Sequence, residues 1–462
     1  MSINFNAFEI GRRALNANAY GINLTGQNIS NVNTPGYSRQ RLQLSESASN
    51  NINGLSIGGV TVQGVQAFRD RFIESRINNE TGVAGRLSAQ RDALAPVETA
   101  LQGSENGGLQ NALNSFFNSF RDLDANPNSV PLRTIAAQKG ANLASSFNAT
   151  RGKLDQIRRD ADGQIRSTVD EVNGLSKQIA QLNVSIRAAE NTGANTSALK
   201  DQRGQLVTQI SELTGARSSE NSDGTISLTI GEGRALVVGD RAGTLRADSA
   251  PPLGLAAITL DGDSATFDEG KLRGLQNAVT ETGSQLDALD GLAASVVARV
   301  NTLHNSGTDL DGNAGTNFFA IPANGQPVTA ANIAVNSAIT TNPRLVVASA
   351  ASQPGQNGTI AGQIAGLLTD PNSTVGTRTG SFSSIYGSLV SQAGDQIRTA
   401  DDKLQTQAAV IAQATAQRDA VSGVSLDEEA INLLQYQKAY EAAARFIKVA
   451  DEMTQTILSL AQ

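Results

Sequence analysis

A few residue groups in this 462-residue chain have the types and spacing that chemistry could use. Gly54-Leu-Ser-Ile-Gly58 has the spacing of a hydrolase elbow, where a strained strand-to-helix turn lifts a serine toward a histidine base. The chain holds one histidine, His304, so Ser56 would depend on it alone. The motif lies in a Gly-rich alternating stretch with another strand pattern behind it, where the elbow requires a helix. A plain β-turn is the reading we adopt, with a hydrolase using Ser56 kept as the alternative. Asp309-Leu-Asp-Gly-Asn-Ala-Gly hints at a calcium loop, but the sixth and twelfth positions hold Ala314 and Ala320 where glycine and glutamate are needed. A turn ending a helix accounts for it, with His304 as a C-terminal cap. The carboxylate pairs Asp401/Asp402 and Glu428/Glu429 fall on helical patterns as solvated faces or a cap. Tyr436, Tyr440 and Phe446 stand at helical spacing and read as a packing seam before an aromatic binding box. No phosphate loop, dinucleotide fingerprint or zinc motif occurs, and there is no cysteine for a disulfide or thiolate site. The expected catalytic set, metal set and cofactor are none.

Composition bounds the rest. Charged residues make up 17% and aromatics 4%, with no tryptophan, so Ala, Leu, Ile and Val must fill the core. That favours long helices with narrow seams. A net charge of −7 gives no electrostatic footing for nucleic acid. No apolar run reaches the roughly 18 residues that span a membrane. Met1-Ser-Ile-Asn-Phe lacks the basic and apolar regions of a cleaved signal.

The elements follow from periodicity. Residues 3–30 form a helix with Ile10, Ala14, Ala17, Gly21 and Leu24 on a heptad seam, widened by Leu15, Ile22 and Ile29. It ends in Asn28-Ile-Ser-Asn-Val-Asn-Thr-Pro-Gly-Tyr-Ser-Arg-Gln40. There Asn28, Asn31 and Asn33 compete for helical hydrogen bonds, Pro35 holds Thr34 out of the α conformation, and Gly36 supplies a turn ahead of Tyr37. Residues 37–68 are an extended linker with short strands. A long-helix bundle takes 69–215, 271–304 and 357–424. A small outer β domain occupies 216–270, and 305–356 is irregular or β. Ser425-Leu-Asp-Glu428 is a capping box. The last helix follows, with Leu433, Tyr436, Tyr440, Ile447 and Ile457 along its seam. The layout is nearly palindromic, so the fold expected is mainly α with a small β insert: a long-helix bundle with paired N- and C-terminal helices. Residues 1–41 carry net +3 and residues 425–462 net −3, which suits that pairing.

The run from Asn28 to Gln40 resembles the N-terminal signature of the flagellar rod, hook and hook-associated axial proteins. Ser422-Gly-Val-Ser-Leu-Asp-Glu-Glu-Ala-Ile-Asn-Leu-Leu-Gln-Tyr-Gln-Lys-Ala-Tyr resembles their C-terminal signature. Asp201-Gln-Arg-Gly-Gln-Leu-Val and His304-Asn-Ser-Gly, followed by Phe318-Phe319, are similar to internal segments of the hook-associated members. The inserts are shorter than the large outer domains many relatives carry. The resemblance implies a self-assembling structural subunit of the hook–filament junction, with a hook or distal rod protein as the alternative. It implies partners: further copies, the hook protein, a second junction protein of the hook-associated protein 3 type, and an export chaperone on the C-terminal helix. It implies an extracellular place on the flagellum, reached without a cleaved signal peptide. The assembly residues expected are Ile10, Leu15, Ile22, Leu24 and Ile29 with Leu433, Tyr440, Ile447 and Ile457. The expected helix exit is Asn28, Asn31, Pro35, Gly36 and Tyr37.

Overall fold

The computed structural model describes residues 2–46, 51–52, 55–56, 58–103, 108–250, 255–351 and 353–460. Helix α1 (Ser2–Ser30) leads into β1 (Gln40–Glu46), the small pair β2 (Asn51–Ile52) and β3 (Leu55–Ser56), and β4 (Val60–Ala67). β1 and β4 pair antiparallel from Gln40↔Ala67 to Glu46↔Val60, with a bulge at Gln43/Leu44. This hairpin lies against α1.

The body begins at Asp70, whose carboxylate accepts from the amides of Phe72 and Ile73 and so starts α2 (Arg71–Gln102). α3 (Leu109–Ala125) and the 62-residue α4 (Val130–Asn191) follow, the latter capped by Ser129 with Pro131 in its first turn. α5 (Ser197–Thr214) ends on Gly215 in the left-handed conformation. Then come two antiparallel sheets. One has the order β5 (Arg217–Glu220), β6 (Ile226–Ile230), β7 (Arg234–Val238), β8 (Arg241–Ala242). The other joins β9 (Leu245–Ala250), β10 (Leu255–Leu260) and β11 (Asp263–Ser264). Strand β6 alternates buried and half-buried residues, as a one-face strand should. Both sheets lean on α4, whose Asn183 and Asn173 side chains bond the strand backbones at Ile226 and Leu245.

α6 (Gly270–Asn305) returns along the body. The next segment is short pieces: β12 (Gly307–Thr308), α7 (Ser337–Thr341), β13 (Ser349–Ala350) and α8 (Thr359–Gly366). The hairpin β14 (Ser373–Val375)–β15 (Arg378–Gly380) was not expected from periodicity, because three-residue strands have no period to show. α9 (Phe382–Ser422) then runs antiparallel to α2, and α10 (Leu426–Leu460) ends the described chain beside α1.

One continuous apolar core runs from Ala89 to Ala393 and takes in helices and strands alike. Its aromatic part lies near the N-terminal end of α4, where Phe318 packs on Gly140. Phe116, Phe117 and Phe120 of α3 meet Phe318, Phe319 and Phe382 there, with ring centroids 5.0–6.0 Å apart. Full burial of each ring is worth about 1.5–3 kcal/mol. Among the described residues, none from α1 or α10 belongs to this core.

Candidate assembly interface and its joint

The terminal helices lie antiparallel, and their seam explains itself by size. Gly11 sits under Ile447 and Phe446, and a Cβ at Gly21 would come within 2.6 Å of the Tyr436 ring. Small residues on α1 thus accept large ones from α10. Ala17 and Leu24 are buried from one side, Ala443 and Ala450 from the other. Of the expected interface residues, Leu24 is buried, and Ile10, Leu15, Ile22, Ile29, Leu433 and Ile447 are half-buried. Tyr440 and Ile457 are exposed at 41% and 54%. α10 also leaves Leu426, Ile431, Leu434, Phe446, Val449, Met453 and Leu458 exposed.

The joint between this pair and the body is built on Asn28, which is buried. Its side-chain oxygen accepts from the Tyr37 hydroxyl at 2.8 Å and the Gln40 amide at 3.1 Å. Its nitrogen donates to the Gln40 carbonyl at 2.9 Å and to Glu429 Oε2 at 3.0 Å. Asn31 bonds back to the Gln27 carbonyl, closing the helix end. Gly36 has φ +79°, the conformation glycine adopts without strain. Pro35 is exposed, and its carbonyl accepts from Gln205 Nε2 at 2.6 Å.

The exit strand is held on two sides. Ser38 donates its hydroxyl at 2.9 Å and its amide at 3.3 Å to Asp201. Arg39 donates to Glu429 Oε1 at 2.8 Å and to Glu428 Oε2 at 2.5 Å, while its amide bonds the Ser422 carbonyl at 2.8 Å. Glu428 is thereby turned to Arg39, and the Ser425 hydroxyl meets only the Glu428 amide, at 3.5 Å. Arg69 reaches Glu74 at 3.1 Å and Asp201 at 3.4 Å. Burial pushes the Asp201 carboxyl up, against the pull of Arg69 and the Ser38 bonds. Burial likewise raises Glu74. Burial, with the charges of Asp201 and Glu429, takes the Tyr37 hydroxyl up to about 12.

These residues border a cleft of about 860 Å3 between the exit loop, the start of α2, and α5. Three of its cations are in ion pairs: Arg69 as described, Arg71 with Glu220 at 2.7 Å, and Lys200 with Glu190 at 2.7 Å. These pairs tie α2 to β5 and α5 to α4.

A family model described as "Flagellar hook-associated protein FlgK helical domain" matches residues 94–319. One described as "Flagellar basal body rod FlgEFG protein C-terminal" matches residues 417–460. Flagellar hook-associated protein 1 of Bacillus subtilis (strain 168) is 28% identical, over 99% of this chain and 99% of its own length. Flagellar hook-associated protein 1 of Escherichia coli (strain K12) is 27% identical, over 96% of this chain and 98% of its own.

Residues 94–319 thus match the FlgK helical domain, and over nearly its whole length the chain is similar to flagellar hook-associated protein 1. The fold agrees: the flagellar hook junction protein FlgK from Burkholderia pseudomallei superposes with a TM-score of 0.65 at 16% identity, covering 75% of this chain and 100% of that one.

Elsewhere the chemical candidates resolve into structure. Ser56 stands in β3 opposite Asn51, and the next long element is a strand, β4, where an elbow needs a helix. The Ser56 side chain, and Gly54 and Ile57 altogether, lie outside the described residues. His304 is no charged helix cap. It is buried, Nδ1 bonds the Thr316 carbonyl, and Nε2 accepts from the Val347 amide at 2.9 Å. Burial, with Arg133 nearby, lowers its pKa to about 4 against the Thr316 bond. In the Asp309 loop, Asp309 accepts from the amides of Asp311 and Asn313, and Asp311 pairs with Arg344. The oxygens a cation would want are already used. Among the described residues no group of three or more metal-ligating side chains occurs, and no helix is long and apolar enough to cross a membrane.

Sequence reasoning missed Glu429, Asp201, Gln205 and Arg69 as holders of the exit loop. The Asp201-Gln-Arg-Gly-Gln run had been singled out by resemblance. Its role is visible only once α5 lies beside the loop.

Proposed function

We propose that this chain is a structural subunit of the bacterial flagellum at the hook–filament junction, assembled through its two terminal helices. The observation that carries the reading is the surface of α10. One narrow seam packs on α1, and Leu426, Ile431, Leu434, Phe446, Val449, Met453 and Leu458 are left about half exposed. A run of apolar side chains of this kind marks an interaction surface. Its burial against further copies would contribute on the order of 1–2 kcal/mol per side chain, since half of each is already covered.

On this reading residues 1–36 and 425–462 form the tube-lining unit. The linker 37–68 leads out to the helical body of 69–215, 271–304 and 357–424. Residues 216–270 are the small outer β domain, and 305–356 the irregular or β segment. Ile10, Leu15, Ile22, Leu24, Ile29, Leu433, Tyr440, Ile447 and Ile457 make the assembly surface, and Asn28, Asn31, Pro35, Gly36 and Tyr37 set the exit. Its neighbours are further copies, the hook protein, and a second junction protein of the hook-associated protein 3 type. A chaperone covers the C-terminal stripe before export through the flagellar type III apparatus to the cell exterior. The role is mechanical and needs no catalysis.

The test is a buried charge on the seam. Ile22→Asp or Leu433→Asp should abolish filament growth from completed hooks, while the purified chain keeps the helical circular dichroism of its body. Filaments of normal length in both variants would refute the reading.

A further inference from the structure

We propose that Glu429 is a latch: the Asn28–Gln40 exit loop closes only when α10 lays its first turn against it, so the two chain ends order as one unit. Glu429 is 2% exposed, yet both its oxygens are engaged. Oε2 takes the Asn28 side-chain N–H, 401 residues away, and Oε1 takes Arg39 Nε, 390 residues away. One carboxylate therefore bridges the end of α1 and the start of β1.

The dependence runs both ways. The Asn28 carboxamide has two donors and one oxygen, and the other donor and the oxygen are committed to Tyr37 and Gln40. Without Glu429 its second N–H faces buried space unpaired, and Arg39 keeps only the exposed Glu428. Without the closed loop, Glu429 loses both of these partners and keeps only the Asn432 side chain, at 3.5 Å on its own helix. The terminal pair lies outside the apolar core, so this bridge, the helix seam and the β1–β4 hairpin against α1 are what tie it down.

The loop supplies its own control. The Ser38 amide is held by Asp201 from α5, independently of α10. The Arg39 and Gln40 amides are held by Ser422 and Asn28. The Ser422 carbonyl belongs to α9, so loss of the latch should free Gln40 and spare Ser38 and Arg39.

The experiment is residue-resolved amide exchange on the free full-length chain. Glu429→Ala should speed exchange about tenfold or more at Gln40 and residues 24–30, the size expected for a lost bond to a charged group, and leave Ser38 and Arg39 as controls. Glu428→Ala should leave residues 24–30 unchanged. A second arm guards against misfolding: Asn28→Asp sets two carboxylates face to face and should loosen the same amides. Adding Glu429→Gln, which restores a donor–acceptor pair, should recover part of the protection. The proposal is overturned if Glu429→Ala loosens only the first turn of α10, or if residues 1–40 already exchange freely in the unmodified chain. Exchange in the free chain reads the latch alone. Its failure leaves the junction reading standing, and a chain that never seats on hooks leaves the latch standing.

Discussion

Asn28 and His304 show two ways a buried polar side chain can be satisfied. Asn28 uses its whole carboxamide to stitch distant backbone together, and each bond would be costly to leave half-made. His304 is satisfied only as the neutral ring, donating at Nδ1 and accepting at Nε2, with Phe318 edge-on at 5.5 Å. That has a pH consequence. The folded pKa of about 4 lies below the ordinary 6.5, so the unfolded chain takes up the proton first. The contribution is full above the unfolded value and is lost as pH falls through the folded one, about 3 kcal/mol in all. Thermal melts of the body followed by circular dichroism should therefore drop between pH 6.5 and 4, and the His304→Gln variant should show a flatter acid limb. Parallel limbs in the two proteins would sink the argument.

Among the elements, the terminal helix pair makes the sharpest claim about packing. Gly21 lies against the Tyr436 ring, whereas Gly26, five residues on, has nothing within 4 Å of where its Cβ would be. Gly26→Ala should stabilise the helix by about 0.5–1 kcal/mol. Gly21→Val should prise the pair apart at a cost of about 1–3 kcal/mol. Urea titrations with tyrosine emission as the signal separate these outcomes, and equal shifts for both variants would mean the seam is not where the structure has it. The same seam shows what was legible beforehand. Ala14, Ala17, Gly21 and Leu24 declare a helix face by spacing, and Pro35-Gly36 declares its end, because both signals are local. The partners of that end are not local. Nothing near Glu429 announces that it will meet Asn28, and nothing near Asp201 announces Ser38. A hydrogen bond across hundreds of residues leaves no period to read. The hairpin at Ser373–Gly380 escaped for the opposite reason, being too short to have one.

At the scale of the whole molecule, the core divides the chain unevenly. The continuous apolar cluster spans Ala89 to Ala393 and includes nothing described from α1 or α10. A helix pair outside the core is held by its own seam, its joint and the β1–β4 hairpin, and is the first part to open. The tyrosines make this measurable: Tyr20, Tyr37, Tyr436 and Tyr440 lie in the terminal pair and its exit, and Tyr386 alone lies in the body, with no tryptophan to mask them. Unfolding followed by tyrosine emission should therefore precede unfolding followed by far-ultraviolet circular dichroism. Coincident transitions would show the ends and the body to be one cooperative unit.

The length of α4 gives the joint a mechanical meaning. Gln40 is tied to Asn195, just past the C-terminal end of that helix, while the phenylalanine cluster sits at its other end. At 1.5 Å per residue the 62 residues of α4 make an arm about 93 Å long. Leverage then magnifies any slack: a tilt of about 5° at the exit loop carries the far tip through about 8 Å. The stiffness of a few side chains around Asn28 thus sets how far the far end of the body can swing.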